Sequence, residues 1–124
     1  MTDEAVALYE EAGVHDSEGR ETEAEPLYRR ALALGLDEPI RVQCTIQLAS
    51  TIRNLGQFDE SLALLDGALA EHPSDEWTGA IWGFRALALN SLGRDREATA
   101  SALTGLSTRL TRYSRSLAGY AEEL

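Results

Sequence analysis

Small and apolar side chains recur along this chain at spacings of three and four residues, and no β-hairpin signal interrupts them. Such spacing is typical of helices that pack along one face. Three stretches carry closely similar stripes: Ala24, Leu27, Tyr28 and Ala31; Ser61, Leu64, Leu65 and Ala68; Ala98, Ser101, Ala102 and Gly105. A second stripe precedes each of them: Leu8, Ala12 and His15; Thr45, Ala49 and Ile52; Trp82, Ala86 and Leu89. The chain is therefore predicted to be all-α and built from helical hairpins.

A glycine stands between the two helices of every predicted hairpin. Gly19, Gly56 and Gly93 are 37 residues apart, and a left-handed glycine is a common way to end a helix. A fixed period of this length indicates stacked units that bury their apolar faces against their neighbours. We expect a single domain over 1–124 with repeats at about 3–36, 38–73 and 75–108 and a capping helix at about 109–124.

The C-terminal residues continue the apolar spacing without forming a full repeat. They predict one amphipathic helix that covers the end of the repeat array, with its seam at Leu103, Leu106, Leu110, Tyr113, Leu117, Tyr120 and Leu124. Arg109, Arg112 and Arg115 fall on a different face. An alternative is that this helix contacts the acidic first repeat of another copy, giving a homodimer or a head-to-tail chain.

The net charge, the type of basic residue and the cysteine content each argue against certain classes of function. The net charge is −10, with 11 acids against 3 arginines in residues 1–38, which argues against nucleic-acid binding. All basic residues are arginine, which excludes lysine Schiff-base chemistry. The single Cys44 cannot form an internal disulfide, and the chain has no long apolar run. We expect a cytoplasmic protein that does not bind membranes.

No group of residues has the pattern of a catalytic or metal site. His15 is predicted to be half-buried and hydrogen-bonded, and His72 to interact with a helix C-terminus. Cys44, between Val42 and Ile46, is expected to be a buried small hydrophobe. We therefore predict a protein that is not an enzyme and that holds neither cofactor nor metal.

The stripes resemble the signature of the tetratricopeptide repeat family, which places small, small, aromatic and small residues at fixed positions. The first copy is Ala12, Ala24, Tyr28 and Ala31, the second is Ala49, Ser61, Leu65, Ala68 and Pro73, and the third is Trp82, Ala86, Ala98, Ala102 and Gly105. The third copy has no large residue at the aromatic position. Nearly the whole chain is similar to small bacterial three-repeat members of the family. The resemblance implies a right-handed superhelix of three helical hairpins plus the capping helix, with a concave groove that binds other proteins.

The resemblance also implies which residues line the groove, because family members bind an extended or helical peptide against their first helices. The residues at these positions are Tyr9, Gln43, Gln47, Ser50, Arg53, Asn54, Phe84, Leu87 and Asn90. The amides could bond a peptide backbone while Arg53 binds a carboxylate. The alternative is an ordinary solvated helix face, with Phe84 and Leu87 lying under the C-terminal helix.

Overall fold

The computed structural model of the chain describes all residues from 1 to 124 and contains helices but no strand. The helices are α1 (Asp3–Ser17), α2 (Glu21–Leu34), α3 (Ile40–Asn54), α4 (Phe58–Glu71), α5 (Thr78–Ser91), α6 (Asp95–Ser107) and α7 (Ser114–Glu122). The prediction of an all-α fold built from helical hairpins is confirmed.

The chain divides into two compact units. The N-terminal unit, Met1–Gln57, contains α1 to α3, in which α2 packs against both of its neighbours along the chain. The C-terminal unit, Phe58–Leu124, contains α4 to α7, in which α5 packs against α4 and α6, and α6 packs against α7. The division falls inside the second predicted repeat, and the repeat bounds stay a prediction.

The three periodic glycines all lie in the left-handed region, with φ of 78° at Gly19, 88° at Gly56 and 75° at Gly93. Their turns share one hydrogen-bond pattern. In the first, the Gly19 amide donates to the Asp16 carbonyl at 3.0 Å and the Arg20 amide donates to the His15 carbonyl at 2.8 Å. These two bonds satisfy the last carbonyls of the helix and define a Schellman cap. The predicted left-handed helix ends are confirmed.

The second helices bury most of the predicted stripe, whereas Leu27 and Leu64 are only partly buried. Ala24, Tyr28 and Ala31 are fully buried in α2, and α4 and α6 bury the corresponding small residues. Ala102, which the sequence places on the stripe, is exposed. Ser101, which is on the same predicted stripe, is buried, and its hydroxyl donates to the Trp82 carbonyl at 2.9 Å.

The predicted continuous C-terminal seam is wrong, because α6 ends at Ser107 and α7 begins only at Ser114. Hydroxyl groups end the helix by bonding carbonyls that the helix would otherwise use. The Thr108 hydroxyl donates to the Gly105 carbonyl at 2.7 Å, and the Ser114 hydroxyl donates to the Ser107 carbonyl at 2.6 Å. Tyr113, at the N-cap of α7, has a left-handed φ of 67°.

Candidate partner-binding surfaces

One polar face of α3 is partly exposed, whereas most apolar residues of the helix are buried. Valine, isoleucine, leucine and small residues fill most of the helix surface and are buried: Val42, Cys44, Ile46, Leu48, Ala49, Thr51 and Ile52. Residues at spacings of four, three and four remain partly or fully exposed: Gln43, Gln47, Ser50 and Asn54. This spacing places all four on one helix face. The polar face of α3 is thus accessible, and its role in binding a partner stays a prediction.

Tyr9 on α1 lies beside this stripe. Its hydroxyl is 3.5 Å from the Gln43 Oε1 atom, and its ring lies 6.2 Å from the ring of Tyr28 at a tilt of 47°. Burial raises the pKa of Tyr9, so the hydroxyl stays protonated and available as a donor. Tyr28 is fully buried and donates to the Asp16 carboxylate at 2.8 Å, which holds α2 against α1. The Gln47 side chain is also hydrogen-bonded to Tyr9, so Tyr9, Gln43 and Gln47 form one polar cluster of the N-terminal unit.

Two oxygens of α3 are buried and accept no hydrogen bond from the protein. They are the Gln47 Oε1 atom and the Thr51 Oγ1 atom, one helical turn apart. Their surroundings differ, because the Gln47 side chain is partly exposed whereas Thr51 is only 1% exposed. A buried acceptor without a donor costs about 1–3 kcal/mol. Only Gln47 is placed where a bound molecule has access to the side chain.

Arg53 and Asn54 are linked to each other at the C-terminal end of α3. The Arg53 Nη2 group donates to the Asn54 Oδ1 atom at 3.1 Å, and the Asn54 amide donates to the Glu21 carboxylate at 3.0 Å. The guanidinium that the sequence assigns to a partner carboxylate is therefore engaged within the N-terminal unit. A carboxylate ligand would have to compete with the Asn54 side chain for it.

The other candidate residues lie on α5 in the C-terminal unit. Leu87 is 44% exposed, Phe84 is partly exposed, and Asn90 is exposed and donates to Asp95 at 3.3 Å. The C-terminal helix does not cover Leu87. The C-terminal helix lies near Trp82 and Arg85 instead. These two residues and Leu124 line a cavity of about 270 Å³.

A polar cluster at the α4–α5 connection was not predicted from the sequence. His72 is buried, and its Nδ1 atom is 2.6 Å from the Asp75 carboxylate, which also accepts from the Trp77 amide at 2.8 Å. Thr78 donates to the His72 carbonyl at 2.7 Å. The hydrogen bond from His72 lowers the pKa of Asp75. The His-x-x-Asp spacing could have indicated the contact between His72 and Asp75, and the predicted interaction of His72 with the helix C-terminus stays a prediction.

The remaining histidine, cysteine and acidic groups form no reactive or metal-binding arrangement. His15 is half-buried and accepts from the Arg20 Nε group at 2.9 Å, as predicted. Cys44 is fully buried, and burial raises its pKa to about 12, so the thiol is not reactive. No group of three or more histidine, cysteine or acidic residues is arranged to hold a metal ion. None of the seven helices combines the length and the hydropathy that a membrane span requires.

Comparison with known proteins gives one match. The family model described as "Tetratrico peptide repeat" matches residues 5–124. Neither the curated proteins nor the solved structures contain a match. Members of this family generally act as non-enzymatic modules for protein–protein interaction. Because the match covers almost the whole chain, and because the helical hairpins carry the family's small and aromatic positions, this chain belongs to the tetratricopeptide repeat family.

Proposed function

We propose that this chain is a cytoplasmic, non-catalytic interaction module that binds a peptide or protein segment on the polar face of its N-terminal unit. We define the polar face as Tyr9, Gln43, Gln47, Ser50 and Asn54. The observation that carries the proposal is the buried Gln47 Oε1 atom, which accepts no hydrogen bond although its side chain reaches the surface. Rotation of the partly exposed Gln47 side chain toward the surface would let a bound peptide N–H group supply the missing donor.

The chemistry of the polar face suits a peptide backbone. Amide side chains offer both donors and acceptors, and the Tyr9 hydroxyl adds one more group of each kind. A net charge of −10 disfavours nucleic acid as the ligand. The binding of a carboxylate by Arg53 is a secondary part of the proposal, because this guanidinium already donates to Asn54. Phe84, Leu87 and Asn90 are proposed as further contact residues, with Leu87 offering exposed apolar area.

The test compares two variants of α3 that each remove one unpartnered oxygen. Gln47→Met keeps the side-chain volume and deletes an amide whose side chain is partly exposed, while Thr51→Val deletes a hydroxyl that a partner cannot reach. Both variants should unfold at an equal or higher temperature, since each loses a buried unsatisfied acceptor. Only Gln47→Met should weaken peptide binding, by about 2- to 10-fold.

The binding measurement uses peptides selected on the wild-type chain from a displayed random library, followed by titration of each variant. Affinity capture from cell lysate with the same three proteins then identifies the physiological partner by mass spectrometry. Equal binding of the selected peptides by wild type and Gln47→Met would contradict the assignment to the polar face.

A second candidate function is self-association through the C-terminal residues. Large apolar side chains are exposed there: Leu106, Leu110, Tyr113, Tyr120 and Leu124. Exposed apolar groups that cluster in a short segment often mark an interface. The solution mass over a range of concentrations tests this candidate independently of the peptide titrations.

A further inference from the structure

The segment between α6 and α7 and the start of α7 combine positive charge with exposed apolar area. We call Arg109, Leu110, Arg112, Tyr113 and Arg115 the basic patch. All five are exposed. None of the three arginines forms an ion pair, whereas most other arginines of the chain do. The patch therefore presents three unneutralised cations around an exposed tyrosine.

Tyr113 is the most exposed large hydrophobic residue, at 78%, and it is also the only residue other than glycine with positive φ. A left-handed conformation costs a side chain about 1–2 kcal/mol. Within the chain this cost is not offset by burial of the ring. An aromatic held outward at such a cost is a feature of contact sites.

A surface of opposite charge lies on α1. Its outward residues are spaced by three and four and form a single face, opposite the buried Ala5 and Ala12. We call this face the acidic stripe: Asp3, Glu4, Ala7, Glu10, Glu11, Val14 and Glu18, all exposed. Val14 is 53% exposed, and Glu10 and Glu11, four and three residues before it, are exposed on the same face. The stripe therefore offers an apolar contact with acids around it.

We infer that the basic patch of one copy docks on the acidic stripe of a second copy, with Tyr113 against Val14 and with Arg112 and Arg115 beside Glu10 and Glu11. This inference rests on the second candidate function, self-association. The charges of the basic patch and the acidic stripe decide which surfaces of two copies pair. Two basic patches placed together would bring six arginines into one contact, and two acidic stripes would bring ten acids together, of which only Glu4 and Glu18 of each copy are paired with an arginine of their own chain. The pairing of unlike surfaces therefore neutralises charge better than either pairing of like surfaces. The contact is heterologous and gives a head-to-tail arrangement.

The experiment measures mass by light scattering and sedimentation at low salt with charge-reversed variants. Wild type should form oligomers that dissociate at high salt, because exposed charges are screened beyond about 10 Å at 0.1 M ionic strength. Glu10→Arg with Glu11→Arg, and separately Arg112→Glu with Arg115→Glu, should each weaken association by about tenfold or more. Mixing the two variants should restore a complex, since each then meets a surface of opposite charge. Restoration also demonstrates that both variants are folded.

The matched control is Glu23→Arg with Glu76→Arg, which changes the net charge equally at exposed positions outside the acidic stripe. This control should retain association close to that of wild type. If the Glu10 and Glu11 variant associates as wild type does, the acidic stripe is not the acceptor, although self-association itself stands. If wild type is a monomer at every concentration and salt, self-association fails and the inference fails with it.

Discussion

The first and third hairpins place their large aromatic residue on opposite helices. In the N-terminal unit the residue is Tyr28 on α2, fully buried and bonded to Asp16. The position equivalent to Tyr28 in the third hairpin is Ala102, which is exposed. In the C-terminal unit the large residue is Trp82 on α5, and it faces Gly105 on α6. The buried tyrosine that separates α1 and α2 therefore has no counterpart on α6, and the third hairpin brings its two helices into close contact at Gly105 instead.

Glycine makes the second arrangement possible. A Cβ atom added to Gly105 would lie 2.8 Å from the Trp82 Cβ atom and 3.1 Å from the Gly79 carbonyl oxygen. The helices α5 and α6 thus pack through direct backbone approach, whereas α1 and α2 pack through a buried tyrosine. Where helix backbones approach closely, an added methyl group lowers stability. Where a large side chain fills the interface, removal of that side chain lowers stability.

The largest effect is expected at Tyr28. Tyr28→Ala should lower the free energy of unfolding by about 3–5 kcal/mol, as large-to-small changes of buried aromatic residues do. Urea denaturation followed by circular dichroism measures it. Ala102→Ser is the matched control in the third hairpin and should cost less than about 0.7 kcal/mol. Similar losses at both positions would contradict the distinction between the two hairpins.

A smaller loss is expected from filling the close contact of the C-terminal unit. Gly105→Ala should lower the free energy of unfolding by about 1–3 kcal/mol, because the new methyl group overlaps Trp82. Gly83→Ala on α5 meets no atom within 4 Å and should raise stability by up to about 1 kcal/mol through its higher helix propensity. Thermal unfolding of the two variants should therefore shift in opposite directions, and a gain at Gly105 would be inconsistent with backbone approach.

A gain is expected at the left-handed tyrosine of the C-terminal unit. All other residues with positive φ are glycines, so Tyr113→Gly should remove strain and raise the free energy of unfolding by about 1 kcal/mol. Gly19→Ala in the N-terminal unit is the reverse change and should lower it by a similar amount. The comparison is made by denaturant titration at a concentration where the wild-type chain is monomeric. A loss at Tyr113 would mean that its ring stabilises the fold.

The smallest effect concerns acid pH and the α4–α5 connection. The folded-state pKa of Asp75 is below its ordinary value of 3.8, chiefly because of the hydrogen bond from His72. This carboxylate therefore stabilises the fold above pH 3.8, and the contribution is lost as the pH falls through the lowered pKa. Asp75→Asn should unfold more easily at neutral pH and lose less stability on acidification. Parallel curves of unfolding free energy against pH for both proteins would exclude this role.

The sequence predicts best where a local rule applies. The periodic glycines adopt positive φ, and their spacing alone indicates where the first helix of each hairpin ends. The burial of Cys44 and the polar stripe of α3 follow from helical spacing in the same way. The candidate site can be predicted from the sequence as one face of α3. The hydrogen bond from Arg53 to Asn54 cannot, because several rotamers of these side chains are compatible with the same helical spacing.

In the C-terminal residues the hydrophobic spacing does not predict the helices correctly. Leucines and tyrosines spaced by three and four indicate one helix, yet the hydroxyls of Thr108 and Ser114 bond backbone carbonyls and divide it into two. Competition between side chain and backbone for the same carbonyls depends on local geometry that a hydrophobic pattern does not contain. The serine and threonine residues of this segment are the sequence feature that could have indicated the break between α6 and α7.

The sequence by itself determined the class of the protein, since helical spacing, a 37-residue glycine period and small-residue stripes specify repeated helical hairpins. Tertiary structure alone decided that α5 and α6 approach closely at Gly105, which oxygens of α3 stay unbonded, and how Tyr113 is held outward. The physical reason is that helix periodicity depends on backbone geometry, which neighbouring residues set. Packing volume and hydrogen-bond partners depend on groups that the chain brings together only when it folds.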